Sequence, residues 1–269
     1  MNGMVFPLNI WLLFAVALAI SAIGFKRDVW FISLGYGFSI AGEGILMLIL
    51  YGVGRKFTPG TLICCLLLTL YGFRLSGYLA YREVKSASYN RNMTGEIKED
   101  VSTGVKAAIW ITCALLYVLE VLPVFYRLEN GSGSGTWTYI GAAVMLGGLI
   151  LETAADLQKS KAKKANPKRF VDTGLYRLVR CPNYLGEMLF WTGVVLTGIG
   201  SVQGWQWVPC LLGYVAIIFV MFSGARRLEI RQNRNYGSDP EYRKYVKTVP
   251  ILVPFIPLYS VEKYKWLTA

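Results

Sequence analysis

Hydrophobic residues along this chain fall in blocks long enough to cross a bilayer, separated by short polar segments. A spanning helix needs roughly 20 mostly apolar residues. Such blocks lie at about 4–23, 30–52, 60–81, 106–126, 137–156, 185–200 and 205–224. The pattern predicts an all-α, polytopic membrane protein with about seven transmembrane helices in a single domain over residues 1–269. The sixth block is short and glycine-rich, which predicts a tilted helix or one that begins in the interface. The first has no positive residues ahead of it and Lys26 and Arg27 behind it. That order predicts a retained first helix with its N-terminus outside.

Charge sharpens the topology. With seven spans, 24 Lys and Arg residues fall on the side of the 24–29, 82–106 and 157–184 segments and the tail. Only Arg55, Lys56 and Arg127 fall on the other, and Arg74 lies within a span. Positive residues collect on the cytosolic face, so the C-terminus is expected there. Overall, 54% hydrophobic and 16% charged residues fit a membrane protein better than a soluble one. The net charge of +12 then reads as a membrane-facing asymmetry, with no nucleic-acid partner.

Catalytic chemistry is narrowed by what is missing. The chain has no histidine, so proton transfer falls to Glu, Asp, Tyr, Lys, Cys or water. No metal is expected, and the five cysteines read as small buried hydrophobes. Ionisable residues within a span are costly and point to function. Glu43 and Arg74 lie mid-span, and Glu187 lies near the start of the sixth block. The lysine-rich segment 156–174 leads into Arg177, Arg180 and Asn183 ahead of that block, with Pro182 suited to a helix start. Helix N-termini and basic residues favour phosphate. A polyanionic cofactor fits this mouth, as does a solvated loop attracted to anionic headgroups.

The stretch "ADLQKSKAKKANPKRFVDTGLYRLVRCPNYLGE" resembles the C-terminal pattern of the steroid 5-alpha-reductase-like membrane proteins. Their pattern runs D-L-Q-K, a basic stretch, F-V-D-T-G-L-W-R and R-H-P-N-Y-x-G-E. "LTLYGFRLSGYLAYR" resembles their third-span motif, and "RRLEIRQ…EYRKYVKTVPILVPFIP" their tail. The likeness runs over 57–269, with cofactor loops at 157–184 and 225–258, and is weak over 1–56.

The resemblance implies NADPH as cofactor and reduction of a carbon–carbon double bond conjugated to a carbonyl in a steroid-like or other lipid. Matched position by position, it implies cofactor contacts from Arg74, Asp156, Lys163, Arg169, Asn183 and Glu187, to which the helix mouth adds Arg180 and Tyr184 as candidates. It implies Tyr71 as the tyrosine that meets the substrate carbonyl, with Glu43 in the place of the second-span glutamate. Two departures stand out. Cys181 replaces the histidine of R-H-P-N-Y, and the histidine of the last cytosolic stretch is missing, so either Glu229, Arg231 or Tyr236 serves there or that contact is absent. The related isoprenylcysteine methyltransferases offer a rival, S-adenosylmethionine-dependent reading. A non-catalytic membrane scaffold is another. The expected membrane is the endoplasmic reticulum in a eukaryote and the cytoplasmic membrane in a bacterium.

Overall fold

The computed structural model describes residues 4–52, 57–85 and 102–268. Arg55, Lys56 and most of the 82–106 basic segment lie outside them. Among the described residues there are eight α-helices. They are α1 (Leu8–Ser21), α2 (Leu34–Gly52), α3 (Pro59–Lys85), α4 (Thr103–Glu129), α5 (Thr136–Ala165), α6 (Pro182–Gly198), α7 (Trp207–Tyr236) and α8 (Pro240–Thr248). Six helical segments, built on α1–α5 and α7, are long and apolar enough to cross a membrane. The protein is a multi-pass membrane protein.

The expected sixth span is α6, which has 17 residues. At 1.5 Å per residue it covers about 26 Å, short of the roughly 30 Å hydrocarbon core. Helix boundaries follow local chemistry. Pro59 and Pro182 open α3 and α6, where the missing N–H costs nothing. Asp239 caps α8 by accepting from the amides of Glu241 and Tyr242, at 2.8 and 3.4 Å.

The chain divides into two compact units. One comprises Met1–Ala142 and Val194–Tyr214, the other Ala143–Gly193 and Val215–Ala269. In the first, α2 packs on α1, α3 and α4. Its contact with α3 rests on small residues. A Cβ on Gly72 would stand 2.2 Å from the Gly37 carbonyl oxygen, and one on Gly44 2.6 Å from the Thr69 hydroxyl. Backbones this close are typical of helices packed in lipid, where van der Waals contact must replace the hydrophobic effect. Arg127 is buried in the same unit. It donates to the carbonyls of Thr197, Gly133 and Ile199 at 2.6, 2.6 and 2.8 Å. It thereby satisfies the Thr197 and Ile199 carbonyls at the end of α6, which lack intrahelical donors, and ties that end to Gly133 of the α4–α5 connection.

In the second unit α5 and α6 also meet through glycine. A Cβ on Gly148 would lie 2.5 Å from the Gly186 carbonyl and the Phe190 amide. The segment after α8 folds back on this unit. Ile251, Leu252, Val261 and Leu267 join Cys181, Ala225 and Leu228 in one buried cluster.

Candidate functional site

The start of α6 carries the densest polar chemistry of the second unit. Arg180 and Glu229 form an ion pair at 2.8 Å, with side chains only 1% and 3% exposed. The second Glu229 oxygen accepts the amides of Val261 and Glu262 at 2.8 and 2.9 Å. Arg180 also donates to the Tyr259 carbonyl, and its own amide bonds to Pro250 O at 2.9 Å. Glu229 is therefore spent on holding the C-terminal segment. Nε and Nη1 of Arg180 and Oδ1 of Asn183 are buried without a well-aligned hydrogen bond among the described residues.

The neighbouring Cys181 and Tyr184 have cations as electrostatic partners. The Cys181 thiol is pushed up to about 11 by burial, against the opposing pull of Arg180 and Lys159. The Tyr184 ring lies within electrostatic reach of Cys181, Arg227, Glu187 and Arg231. Tyr184 also packs against Gly224, where a Cβ would lie 3.4 Å from its ring. Arg180, Asn183, Tyr184, Glu187 and Arg231 are thus gathered in one neighbourhood, with Glu187 buried and Arg231 exposed. Lys159 belongs to the lysine-rich segment expected at the cofactor phosphates, whereas Arg227 was missed from sequence; its signal was its register, four residues before Arg231 and so on the same face of α7.

Other motif residues serve the loop itself. Lys163 donates to the Tyr236 hydroxyl at 2.7 Å, to Pro167 O at 3.2 Å and to Arg169 O. Arg169 is exposed and pairs with Asp172 at 2.9 Å and Glu241 at 2.6 Å. Gln158 of "DLQK" accepts the Leu175 amide at 2.9 Å. Gly174 has φ +61, and a Cβ there would stand 2.4 Å from Gln158 Oε1. Glycine is required at that turn both by its dihedral and by its neighbour. Phe170 is buried among Tyr236, Tyr242 and Tyr245, its ring 5.2 Å from that of Tyr242. Asp156 is buried on α5. A surface cavity of about 290 Å³ is lined by Glu229, Asn233, Val246, Lys247, Tyr259 and Ser260. Its volume is below that of a drug-sized pocket, so it does not by itself house a dinucleotide.

The first unit carries Glu43, Tyr71 and Arg74. Glu43 is fully buried, and neither carboxyl oxygen has a hydrogen-bond partner among the described residues. Tyr71 is fully buried, and its hydroxyl lies 3.1 Å from that of Tyr36. Tyr36 in turn packs on Tyr117, ring centroids 5.2 Å apart, and Tyr117 donates to the Phe31 carbonyl. Arg74 sits over the Tyr78 ring, 5.7 Å from its centroid. The hydroxyl beside Tyr71 is therefore that of Tyr36, which sequence reading missed. Tyr36 and Glu43 are seven residues apart on α2, hence on one face, about 10 Å along the axis.

Comparison with known proteins adds three findings. A family model described as "Protein of unknown function (DUF1295)" matches residues 11–249. Over 157 residues the chain is 26% identical to the steroid 5-alpha-reductase DET2 of Arabidopsis thaliana, covering 56% of this chain. The chain spans 55% of the length of that relative. No solved structure matches the chain.

Proposed function

The chain belongs to the DUF1295 family, and within it we propose an NADPH-dependent reductase of a carbon–carbon double bond conjugated to a carbonyl in a steroid-like or other lipid substrate. The observation that carries this reading is the pair of buried polar groups at the start of α6. Two donor nitrogens of Arg180 and the acceptor oxygen of Asn183 are buried without a well-aligned hydrogen bond among the described residues, although the Tyr242 hydroxyl lies within reach of the guanidinium. Buried polar atoms are rarely left so. These donors, with Lys159 acting on the adjacent Cys181 and Arg227 and Arg231 on Tyr184, fit the phosphates of a dinucleotide, and the Asn183 amide acceptor fits a carboxamide or ribose hydroxyl. The distant likeness to a plant steroid 5-alpha-reductase supports the same choice.

When bound, NADPH supplies a hydride. The residues of the chain do the rest. Arg180, with Arg227 and Arg231, binds phosphate, while Asn183 and Glu187 orient the polar end of the cofactor. Tyr71 donates its hydroxyl proton in a hydrogen bond to the substrate carbonyl, where charge develops as the double bond is reduced. Tyr36 holds the Tyr71 hydroxyl, and Glu43 offers a carboxyl two helical turns along α2.

The test is a parallel titration of NADPH, NADH and S-adenosylmethionine into the detergent-purified protein, read by thermal stabilisation. NADPH at a hundred times its Kd should stabilise by about 2.7 kcal/mol. Asn183→Asp should abolish the shift, because a carboxylate beside the phosphates repels them. Stabilisation by S-adenosylmethionine instead would place the protein with methyltransferases. Stabilisation by none of the three would remove the reductase reading and leave a scaffold.

A further inference from the structure

The C-terminal segment after α8 turns two apolar points outward while its backbone is pinned. Phe255 is 96% exposed, and Ile256 beside it is also exposed. Phe255 has φ 66, a left-handed conformation that a bulky side chain rarely adopts. Pro254 and Pro257 flank this pair. The loop cannot simply roll its tip inward. Ile251 N bonds to Leu258 O at 2.9 Å, and Cys181 N bonds to Ile251 O at 3.0 Å. Ile251 and Leu252 are buried in the cluster beneath. Strain of this kind persists only where the surroundings hold it.

The second point is Trp266, 66% exposed. Its ring stacks on Phe219 of α7, centroids 6.1 Å apart and planes at 21°. Phe219 lies inside the stretch 207–225, which carries no charged residue. The first charge on α7 is Arg226, whose guanidinium donates to Glu262 O at 3.0 Å and Leu267 O at 3.4 Å. Phe219 precedes Arg226 by seven residues, so Trp266 lies about 10 Å along the helix on its apolar side. Val215, one turn further, is also exposed and faces the same way as Phe219. The tail therefore continues an exposed, apolar side of a helix long and apolar enough to cross a membrane. Lys263 and Lys265 flank this point, both exposed, with Lys263 over the Tyr264 ring at 5.1 Å. Tryptophan at the boundary, with lysines reaching outward, is the composition of a membrane interface.

We propose that the C-terminal segment is an interfacial anchor: Phe255–Ile256 and Trp266 insert at the headgroup–acyl boundary of the protein's own membrane, with Lys263 and Lys265 on anionic headgroups. This goes beyond the reductase reading and does not depend on it. The segment that Arg180 and Glu229 hold is thereby moored to lipid as well as to protein.

Nitroxide labels at Phe255→Cys and Trp266→Cys, in a Cys113→Ser background, test it in nanodiscs of phosphatidylcholine with and without phosphatidylglycerol. A label at Lys244→Cys on α8 provides a water-exposed reference. At both test sites, oxygen should relax the label more than the nickel–EDDA complex does, with the reverse at the reference. Phosphatidylglycerol should deepen both. A water-like label at either site overturns the proposal. So does a label shielded from both agents, which would mean a protein partner or a second copy. If the cysteine variants do not fold, tryptophan quenching by brominated phosphatidylcholine replaces them. The unaltered protein should lose more fluorescence than Trp266→Phe, and equal loss overturns the anchor.

Discussion

Glu229→Ala should free the C-terminal segment. Glu229 pairs with Arg180 at 2.8 Å in near-complete burial, and its other oxygen accepts two backbone amides. Breaking one side of a buried pair costs about 3–5 kcal/mol, because the remaining charge is stranded. The amides of Val261 and Glu262 lose their acceptor as well, at about 1–3 kcal/mol each while they stay buried. The segment can escape these costs only by opening to water, so the total is capped by its own opening free energy. Taking the pair alone, protection of the 259–268 amides should fall by about two to four powers of ten, at 1.36 kcal/mol per decade. Glu229→Gln keeps one acceptor oxygen and should fall less. The double variant Arg180→Met/Glu229→Leu removes both charges and should recover most of the pair term, but not the two amide bonds. Hydrogen exchange followed by mass spectrometry on the detergent-solubilised protein reads all three. Unchanged exchange in Glu229→Ala, or a double variant less protected than the single, would refute the assignment of this pair as the clasp.

Four further outcomes follow from the same geometry. Gly174→Ala forces an L side chain to φ +61 and into Gln158. The dihedral alone costs about 1–2 kcal/mol, and thermal unfolding should show a loss of several degrees; an unchanged Tm would mean that the turn relaxes freely. Tyr71→Phe should abolish turnover of an enone lipid while NADPH still stabilises the protein. Tyr36→Phe should lower kcat with little change in KM, since it acts through Tyr71; equal activity in Tyr36→Phe would remove it as a positioning residue. The Cys181 thiol is raised by burial from 9.0 to about 11. Its neutral form is favoured by the fold, so its contribution to stability is complete below pH 9 and is lost as pH rises towards 11. Alkylation of Cys181 at pH 8 should therefore be far slower than that of a free thiol, and rapid labelling there would contradict its burial.

The membrane class and the positions of the spans were legible because hydropathy is a local sum: twenty apolar neighbours suffice, whatever the rest of the chain does. Among the described residues, six of the seven expected blocks form helices long and apolar enough to span, and the departure is α6, with only 17 residues. The polar mouth before α6 was also legible, since the motif and the helix start are contiguous. What those residues do was decided by partners far along the chain. Glu229 is 49 residues from Arg180, Tyr236 is 73 from Lys163, and Tyr36 is 35 from Tyr71. Sequence could identify a lysine suited to phosphate but not that its three donors are spent on a tyrosine and two carbonyls. It could identify a tyrosine at substrate depth but not the second hydroxyl beside it. Hydrophobic periodicity fixes which face of a helix is buried; only packing fixes which residues meet there, because hydrogen bonds and ion pairs reach about 3 Å and depend on how distant segments come together.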